Sequence, residues 1–141
     1  MQNSTTVHEK LENHEKNNLK LWHWEECYQI QGAVFDVYRE MGCGFLEAVY
    51  QECLGKELAK RRIPFVERQE LKLFYKDEML RQTYIPDIVC YEAIIVELKA
   101  LASKRGAHKS QVLNYLKAIK MSLGLLVNFG CHPKAIIERI V

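Results

Sequence analysis

Four charged residues lie in a short segment that is otherwise mostly apolar, IPDIVCYEAIIVELKA at residues 85–100, and three of them, Asp87, Glu97 and Lys99, interrupt its apolar runs. Its composition predicts a β-hairpin, and a turn centred on Glu92 would place Asp87 opposite Glu97. Because side chains alternate between the two faces of a strand, Asp87, Glu97 and Lys99 would then point to the same side. Directly opposed carboxylates repel each other, so this side of the hairpin needs a neutralising partner.

Three arrangements could offset the repulsion between Asp87 and Glu97. Water could solvate the pair, Lys99 could act as a structural counter-ion, or a divalent metal ion could bind between the carboxylates. Mg²⁺ and Mn²⁺ prefer the oxygen ligands that such residues supply. The spacing alone leaves all three arrangements open.

The other face of the hairpin predicts how the hairpin is buried. Its even-numbered residues carry no charge, so we expect this face to lie in the protein core. These residues are Pro86, Ile88, Cys90, Ile94, Val96, Leu98 and Ala100.

Elements before and after the hairpin must hold it in place. Apolar residues recur at helical spacing in IQGAVFDVYREM and in FLEAVYQECLGKELAKRR, and the GCG between them favours a helix end. Leu46 and Tyr50 share the expected apolar face of the second helix. Strand composition follows in VERQELKLFY and MLRQTYI, with a turn at Lys76-Asp77.

After the hairpin, HKSQVLNYLKAIKM predicts a third helix, and SLGLLVNFG and AIIERIV predict two further strands. The order is therefore helix, helix, antiparallel strands, helix, strand and strand. A mixed β-sheet flanked by helices, of the α/β or α+β class, accommodates this order.

The composition predicts one globular domain. The chain has 141 residues, of which 48% are hydrophobic and 27% charged. Residues 1–22 are polar and predict a flexible tail, which leaves residues 23–141 as the domain. There is no apolar run of about 20 residues and no secretory pattern at the start, so we expect a cytoplasmic protein without a membrane partner. The five scattered cysteines form no CxxC pair, which argues against a zinc site or a disulfide framework.

Charge is distributed unevenly along the chain. The net charge is only +2, yet residues 98–141 contain eight Lys or Arg residues and one acid, Glu138. A basic C-terminal part permits an anionic partner, but charge alone favours a solvated helix face.

Four motifs in the sequence resemble those of the PD-(D/E)XK, or restriction-endonuclease-like, nucleases. Pro86-Asp87 followed after nine residues by Glu97-Leu98-Lys99 resembles the superfamily signature. GFLEAVY (44–50) is similar to the Gly-x-x-Glu-x-x-Tyr element of the GxxExxY family. QVLNY resembles the helix motif of RecB-like and phage-type exonucleases, and GLLVNFG resembles the strand after that helix. The resemblance covers about residues 25 to 141 and implies a restriction-endonuclease-like core.

The resemblance also implies roles for the acidic residues and the lysine. Asp87 and Glu97 would bind Mg²⁺ or Mn²⁺, with the backbone carbonyl of Leu98 as a further ligand and Glu47 completing the acidic cluster. Lys99 would orient the attacking water or stabilise the attacked phosphate. Without the resemblance, Glu47 is an ordinary exposed residue in the first turn of a helix.

Further residues would contact the substrate. Gln111 and Tyr115 lie four apart on one helical face, where Gln111 would help to place the nucleophile and Tyr115 would contact phosphate. Without the resemblance, Tyr115 is an inward-facing residue that packs in the core. Lys104, Arg105 and Lys109 precede or begin that helix and would bind nucleic acid.

The leading hypothesis is therefore a nuclease that depends on a divalent metal and hydrolyses phosphodiester bonds. The expected partner is nucleic acid, with DNA favoured over RNA, and a homo-oligomer or a larger complex is compatible with the modest net charge. The alternative is a non-catalytic nucleic-acid-binding or regulatory module that retains the nuclease fold. A purely structural interaction domain is a third interpretation.

Overall fold

The computed structural model describes residues 23–102 and 107–141. The predicted tail at residues 1–22 and the basic residues Lys104 and Arg105 lie outside the described residues. The helices and strands follow in the order α1 (residues 23–41), α2 (Glu47–Lys60), β1 (Phe65–Glu67), β2 (Leu71–Tyr75), β3 (Glu78–Tyr84), β4 (Ile88–Cys90), β5 (Ile94–Lys99), α3 (Ala107–Ile119), β6 (Leu123–Asn128) and β7 (Ile136–Ile140).

The main sheet has five strands in the order β1-β4-β5-β6-β7, and β2 and β3 form a separate two-stranded sheet. Strands β5 and β6 run parallel, whereas the other neighbours in the main sheet are antiparallel. The parallel pair requires a crossover, which α3 supplies. The predicted mixed sheet flanked by helices is confirmed. Within the described ranges, no helix is both long and apolar enough to cross a membrane.

The register of the β4–β5 hairpin is as the alternation of side chains predicts. Ile88 pairs with Val96, and Cys90 pairs with Ile94, so the turn is centred on Glu92. The even-numbered residues of both strands are buried in a core with α1 and α2. On the odd-numbered face, Val89 is buried in a second core beneath α3 and β2. The hairpin is therefore covered on both faces along its ladder.

The prediction of one strand over VERQELKLFY is wrong, because the segment forms two strands in different sheets. Arg68 has a left-handed backbone with φ 51°, which ends β1, and its N–H donates to the Asp87 carbonyl at 3.1 Å. Strand β1 pairs with β4, whereas β2 pairs with β3. The turn predicted at Lys76-Asp77 is confirmed, and both of its residues have positive φ.

The apolar face of α2 also differs from its prediction at the N-terminus. Leu46 was expected to share the buried face, but 79% of it is exposed. Its backbone is extended at the N-cap, so the residue does not follow the helical period. Tyr50, Leu54 and Leu58 form the buried face instead.

The segment after β6 packs backbone to backbone against the segment after β5. The Asn128 side chain bridges them, since its Oδ1 accepts from Leu101 N at 2.9 Å and its Nδ2 donates to Leu101 O at 3.0 Å. At Gly130, a Cβ atom would lie 2.5 Å from Leu101 N. Only glycine allows this approach, because backbone atoms on the other side have no rotamer by which to move away.

We expect Gly130→Ala to lower the free energy of unfolding by about 2 kcal/mol or more, because the added methyl overlaps main-chain atoms. The matched control is Gly55→Ala in α2. There the nearest atom is the carboxylate oxygen of the exposed Glu67, which can rotate away, and alanine is the better helix former. Urea denaturation of both variants measures the difference. Equal stabilities would contradict the close approach at Gly130.

Candidate active site

Asp87 and Glu97 lie side by side just beyond the last pair of the β4–β5 ladder. The Asp87 N–H donates to Glu97 Oε1 at 3.1 Å, and the Leu98 N–H donates to Asp87 Oδ2 at 2.8 Å. Each carboxylate therefore accepts a hydrogen bond from the backbone of the opposite strand. These contacts fix the orientation of both side chains before any ligand binds.

Burial sets the electrostatics of this pair. Loss of solvent raises the pKa of Glu97 above its ordinary value, and the charge of Asp87 adds to the rise. Hydrogen bonds from the Tyr84 hydroxyl and the Asp87 N–H, together with the Lys99 ammonium, oppose this rise only in part. Negative charge on this pair consequently has a cost in free energy, which a neighbouring cation would reduce.

Tyr84 is a residue of the site that sequence reasoning missed. Its hydroxyl donates to Glu97 Oε1 at 2.7 Å. Its ring stacks on Tyr115, with the ring centroids 4.0 Å apart and the planes 8° from parallel. No signal in the sequence could have found Tyr84, because it belongs to β3 in the other sheet and its contact depends on how the two sheets pack.

Of the predicted residues on α3, Tyr115 belongs to this stack. Tyr115 is half-buried and contacts the ring of Tyr84, whose hydroxyl binds Glu97. Gln111 is exposed one turn earlier. Lys109 is exposed in the first turn of the same helix. The predicted contacts of these residues with substrate stay predictions.

Glu47 is the first residue of α2 and is exposed. Gln51, one turn later on the same helical face, donates from Nε2 to the Asp87 carbonyl at 3.2 Å. This contact places the N-terminal half of α2 beside Asp87. In the part of the chain that the structure describes, however, no group of three or more His, Cys, Asp or Glu residues is arranged to hold a metal ion. The structure brings Asp87 and Glu97 together. Glu47 lies one helical turn before Gln51, the residue of α2 that contacts Asp87.

Lys99 ends β5 and lies half-buried on the same face as Glu97, two residues away. Its carbonyl accepts a hydrogen bond from Phe129 N at 2.8 Å. The Phe129 ring stacks on Tyr50, with centroids 4.4 Å apart. The backbone at Lys99 is thereby tied to the fully buried ring of α2.

Tyr50, the last residue of the Gly-x-x-Glu-x-x-Tyr element, has a structural contact of its own. Its hydroxyl donates to the Gly42 carbonyl at 2.6 Å and accepts from Phe45 N at 3.2 Å. Gly44, between them, has φ 110°, a conformation that glycine adopts without strain. The motif therefore shapes the loop that leads into Glu47.

We expect Glu97→Gln to raise the stability of the metal-free protein in EDTA at pH 8, because burial disfavours the ionised carboxylate. The amide keeps an oxygen for Tyr84 and Asp87 N–H but removes the buried charge. The folded-state pKa of Glu97 is raised, so the protonated carboxyl stabilises the fold below about pH 4.5. This stabilisation is lost as the pH rises through the folded-state pKa. The advantage of the variant should therefore disappear below that pH.

Thermal melts of wild type and variant across this pH range measure the effect. The control is Glu52→Gln, which changes the same group at an exposed position on α2. A variant with the melting temperature of wild type at pH 8 would contradict the unfavourable burial of Glu97.

Comparison with known proteins gives a family and a fold. Residues 24–140 match the family model of the PD-(D/E)XK nuclease superfamily. The chain is also similar in structure to the crystal structure of SSO0001, at 18% identity and a TM-score of 0.51. That alignment covers 66% of this chain and 48% of the other, so the chain spans about half the length of the solved protein, and the likeness shows the fold alone. No curated protein matches the chain with significant similarity.

The family match covers the two helices before the hairpin, the hairpin itself and the strands that follow it. It does not reach the finer assignment to the GxxExxY family, which stays a prediction. Because this match covers most of the chain, the chain belongs to the PD-(D/E)XK nuclease superfamily.

Proposed function

We propose that the protein is a nuclease that depends on a divalent metal ion and hydrolyses phosphodiester bonds of nucleic acid, with DNA as the favoured substrate. The observation that carries the proposal is the Asp87–Glu97 pair, which backbone N–H groups orient at the end of a buried hairpin. A purely structural role gives no reason to place two carboxylates together where burial disfavours their charge. Membership of the superfamily supports the same conclusion.

The donor set suits Mg²⁺ or Mn²⁺. One oxygen of each carboxylate accepts a strand N–H, and the second oxygen of each is available to a cation. The Leu98 N–H points to Asp87, and because the N–H and C=O of one residue leave a strand on the same side, the Leu98 carbonyl would be a third oxygen ligand. Glu47 would add a fourth from α2. Oxygen ligands alone favour magnesium or manganese over softer metals.

A divalent ion in this position would polarise the phosphodiester and lower the pKa of a water molecule. The protein's own part is to hold the reacting groups. The Lys99 ammonium would stabilise negative charge that develops on the phosphate. Gln111 would help to orient the nucleophile, and Tyr115 would contact phosphate beside Tyr84.

The basic residues near the start of α3 would bind the nucleic acid backbone. Lys109 is exposed there, and Lys104 and Arg105 precede it in the sequence. Phosphate contacts of this kind orient a nucleic acid without reading its bases.

A non-catalytic binding or regulatory module is the second candidate. The observation in its favour is that Tyr84 and the Asp87 N–H give the Glu97 carboxylate structural partners, so the pair could persist in a fold that had lost turnover. Measurement of turnover beside binding separates the two candidates.

We expect Mg²⁺ or Mn²⁺ to raise the melting temperature of the wild-type protein, because the ion binds only the folded site. At about 100 times its dissociation constant the ion would contribute about 2.7 kcal/mol. Asp87→Asn keeps an acceptor for Leu98 N–H but removes a charged ligand, so its shift should be largely lost. The exposed Glu78→Gln variant is the control and should shift like wild type. If millimolar metal leaves wild type unchanged, there is no metal site here.

We expect Lys99→Met to lower cleavage by about a hundredfold or more, with nucleic acid binding in Ca²⁺ retained, because the ammonium acts on charge that develops during the reaction. Single-turnover cleavage and fluorescence anisotropy measure the two quantities. Lys117→Met, at an exposed position in the last turn of α3, is the control. Cleavage at the wild-type rate would reduce Lys99 to a counter-ion, and a wild type that binds but cleaves no substrate would favour the regulatory module.

A further inference from the structure

A concave surface lies between α1 and the loop that follows β6. This pocket has a volume of about 640 Å³, within the range of pockets that hold small ligands. We name it the α1 pocket, and its walls include Phe35, Tyr38, Arg39, Cys43, His132 and Lys134. None of these residues belongs to the Asp87–Glu97 site.

Two aromatic rings form one wall of the α1 pocket. Phe35 and Tyr38 lie three residues apart on α1 and therefore on one helical face. The Tyr38 hydroxyl donates to the Cys131 carbonyl at 2.8 Å, which fixes this ring between the helix and the loop. Phe35 is 37% exposed, a large fraction for a phenylalanine beside a pocket. The wall thus presents apolar ring surface that no other part of the described chain covers.

The charge of the α1 pocket is positive. Arg39 and Lys134 line it with His132, and no acidic residue is among the lining residues. Asp36 forms an ion pair with Arg39 at 3.1 Å, but it also pairs with Arg61. Arg61 pairs in turn with Glu57, so these four charges balance, and Lys134 supplies the positive charge beside the aromatic wall.

A short chain of contacts connects the α1 pocket to the candidate active site. Gly42, at the pocket, accepts the hydrogen bond of Tyr50, and Tyr50 stacks on Phe129. Phe129 N donates to the carbonyl of Lys99. Because His132 follows Phe129 by three residues, their Cα atoms are at most about 11 Å apart. Lys99 pairs with Asn128 at the end of β6, so the loop that lines the pocket begins at the same end of the main sheet as the candidate site.

We propose that the α1 pocket binds an unpaired nucleotide of the substrate, so that the nuclease acts on nucleic acid that is single-stranded or has a single-stranded flank beside the cleaved bond. This inference rests on the proposed function and adds the strandedness of its substrate. Aromatic rings bind the face of an unstacked base, and cationic side chains bind its phosphate. In an intact duplex both faces of each base are stacked on neighbours, so the base cannot reach Phe35 or Tyr38.

Cys43 provides a direct test in the unmodified protein. It lines the α1 pocket and is exposed, whereas Cys27, Cys90 and Cys131 are buried. We expect a single-stranded oligonucleotide of about ten nucleotides, bound in Ca²⁺, to slow alkylation of Cys43 by N-ethylmaleimide by about tenfold. Mass spectrometry reads each cysteine separately, and the half-buried Cys53 is the internal reference. A blunt duplex of the same length should leave Cys43 reactive.

A pair of variants tests the contribution of the pocket to affinity. Arg39→Ala with Lys134→Ala should weaken binding of the single strand by about tenfold and reduce the slope of log affinity against log salt by about two. Phe35→Ala should weaken it by about tenfold at unchanged salt slope, and Phe35→Trp should restore it. Lys72→Ala with Arg81→Ala is the charge-matched control at exposed positions on the β2–β3 sheet.

The outcomes separate this inference from the proposed function. Protection of Cys43 equally by duplex and single strand, or unchanged affinity in the pocket variants, would overturn the pocket while Asp87-dependent cleavage could still be measured. Selective protection of Cys43 by the single strand in a protein that never cleaves would support the pocket and overturn the nuclease.

Discussion

Where an antiparallel ladder ends, the N–H groups beyond its last pair need other acceptors. In this protein the acceptors are carboxylates: Glu97 receives the N–H of Asp87, and Asp87 receives the N–H of Leu98. The same two hydrogen bonds hold the open end of the hairpin together and orient the acids. A site built in this way does not depend on long flexible side chains to become ordered when a ligand arrives. Most of the conformational entropy of the two side chains is lost on folding, so a ligand has little further ordering to impose.

The rest of the fold determines that this is the end where charge can be placed. Along its ladder the hairpin is covered on one face by α1 and α2 and on the other by α3 and the small sheet. Near the carboxyl end of β5 this cover is thinner, and Glu97 and Lys99 are half-buried there. Tyr50 and Phe129 support that end from beneath, since their stacked rings connect the loop before α2 to the backbone of Lys99.

The hairpin could be predicted from the sequence because its information is local and periodic. A shift of one residue would move every buried apolar side chain to the wrong face, so a single register satisfies the pattern. The break between β1 and β2 could not be predicted in this way. It occurs at Arg68, where the backbone is left-handed, and arginine carries no turn signal of the kind that glycine gives.

The same limit applies to the site. Asp87, Glu97 and Lys99 follow from spacing within one hairpin, and the structure places them together. Tyr84 and Gln51 contact the pair from elements that reach it only through tertiary packing, as the separation of 36 positions between Gln51 and Asp87 illustrates. No local pattern carries that information.

The alternation that fixes the hairpin also constrains how its length can change during evolution. The turn at residues 91–93 is at the far end from the acids, and Glu92 is exposed there, so a substitution at this position has only to tolerate the left-handed backbone, φ 55°. An insertion or deletion is different. Adding one residue to the turn side of β5 would rotate Glu97 to the opposite face unless a bulge compensated, whereas adding two would restore it. The separation between the two acids can therefore drift in steps of two residues, and a lineage that gained a single residue would lose the pair while its sequence still contained both acids.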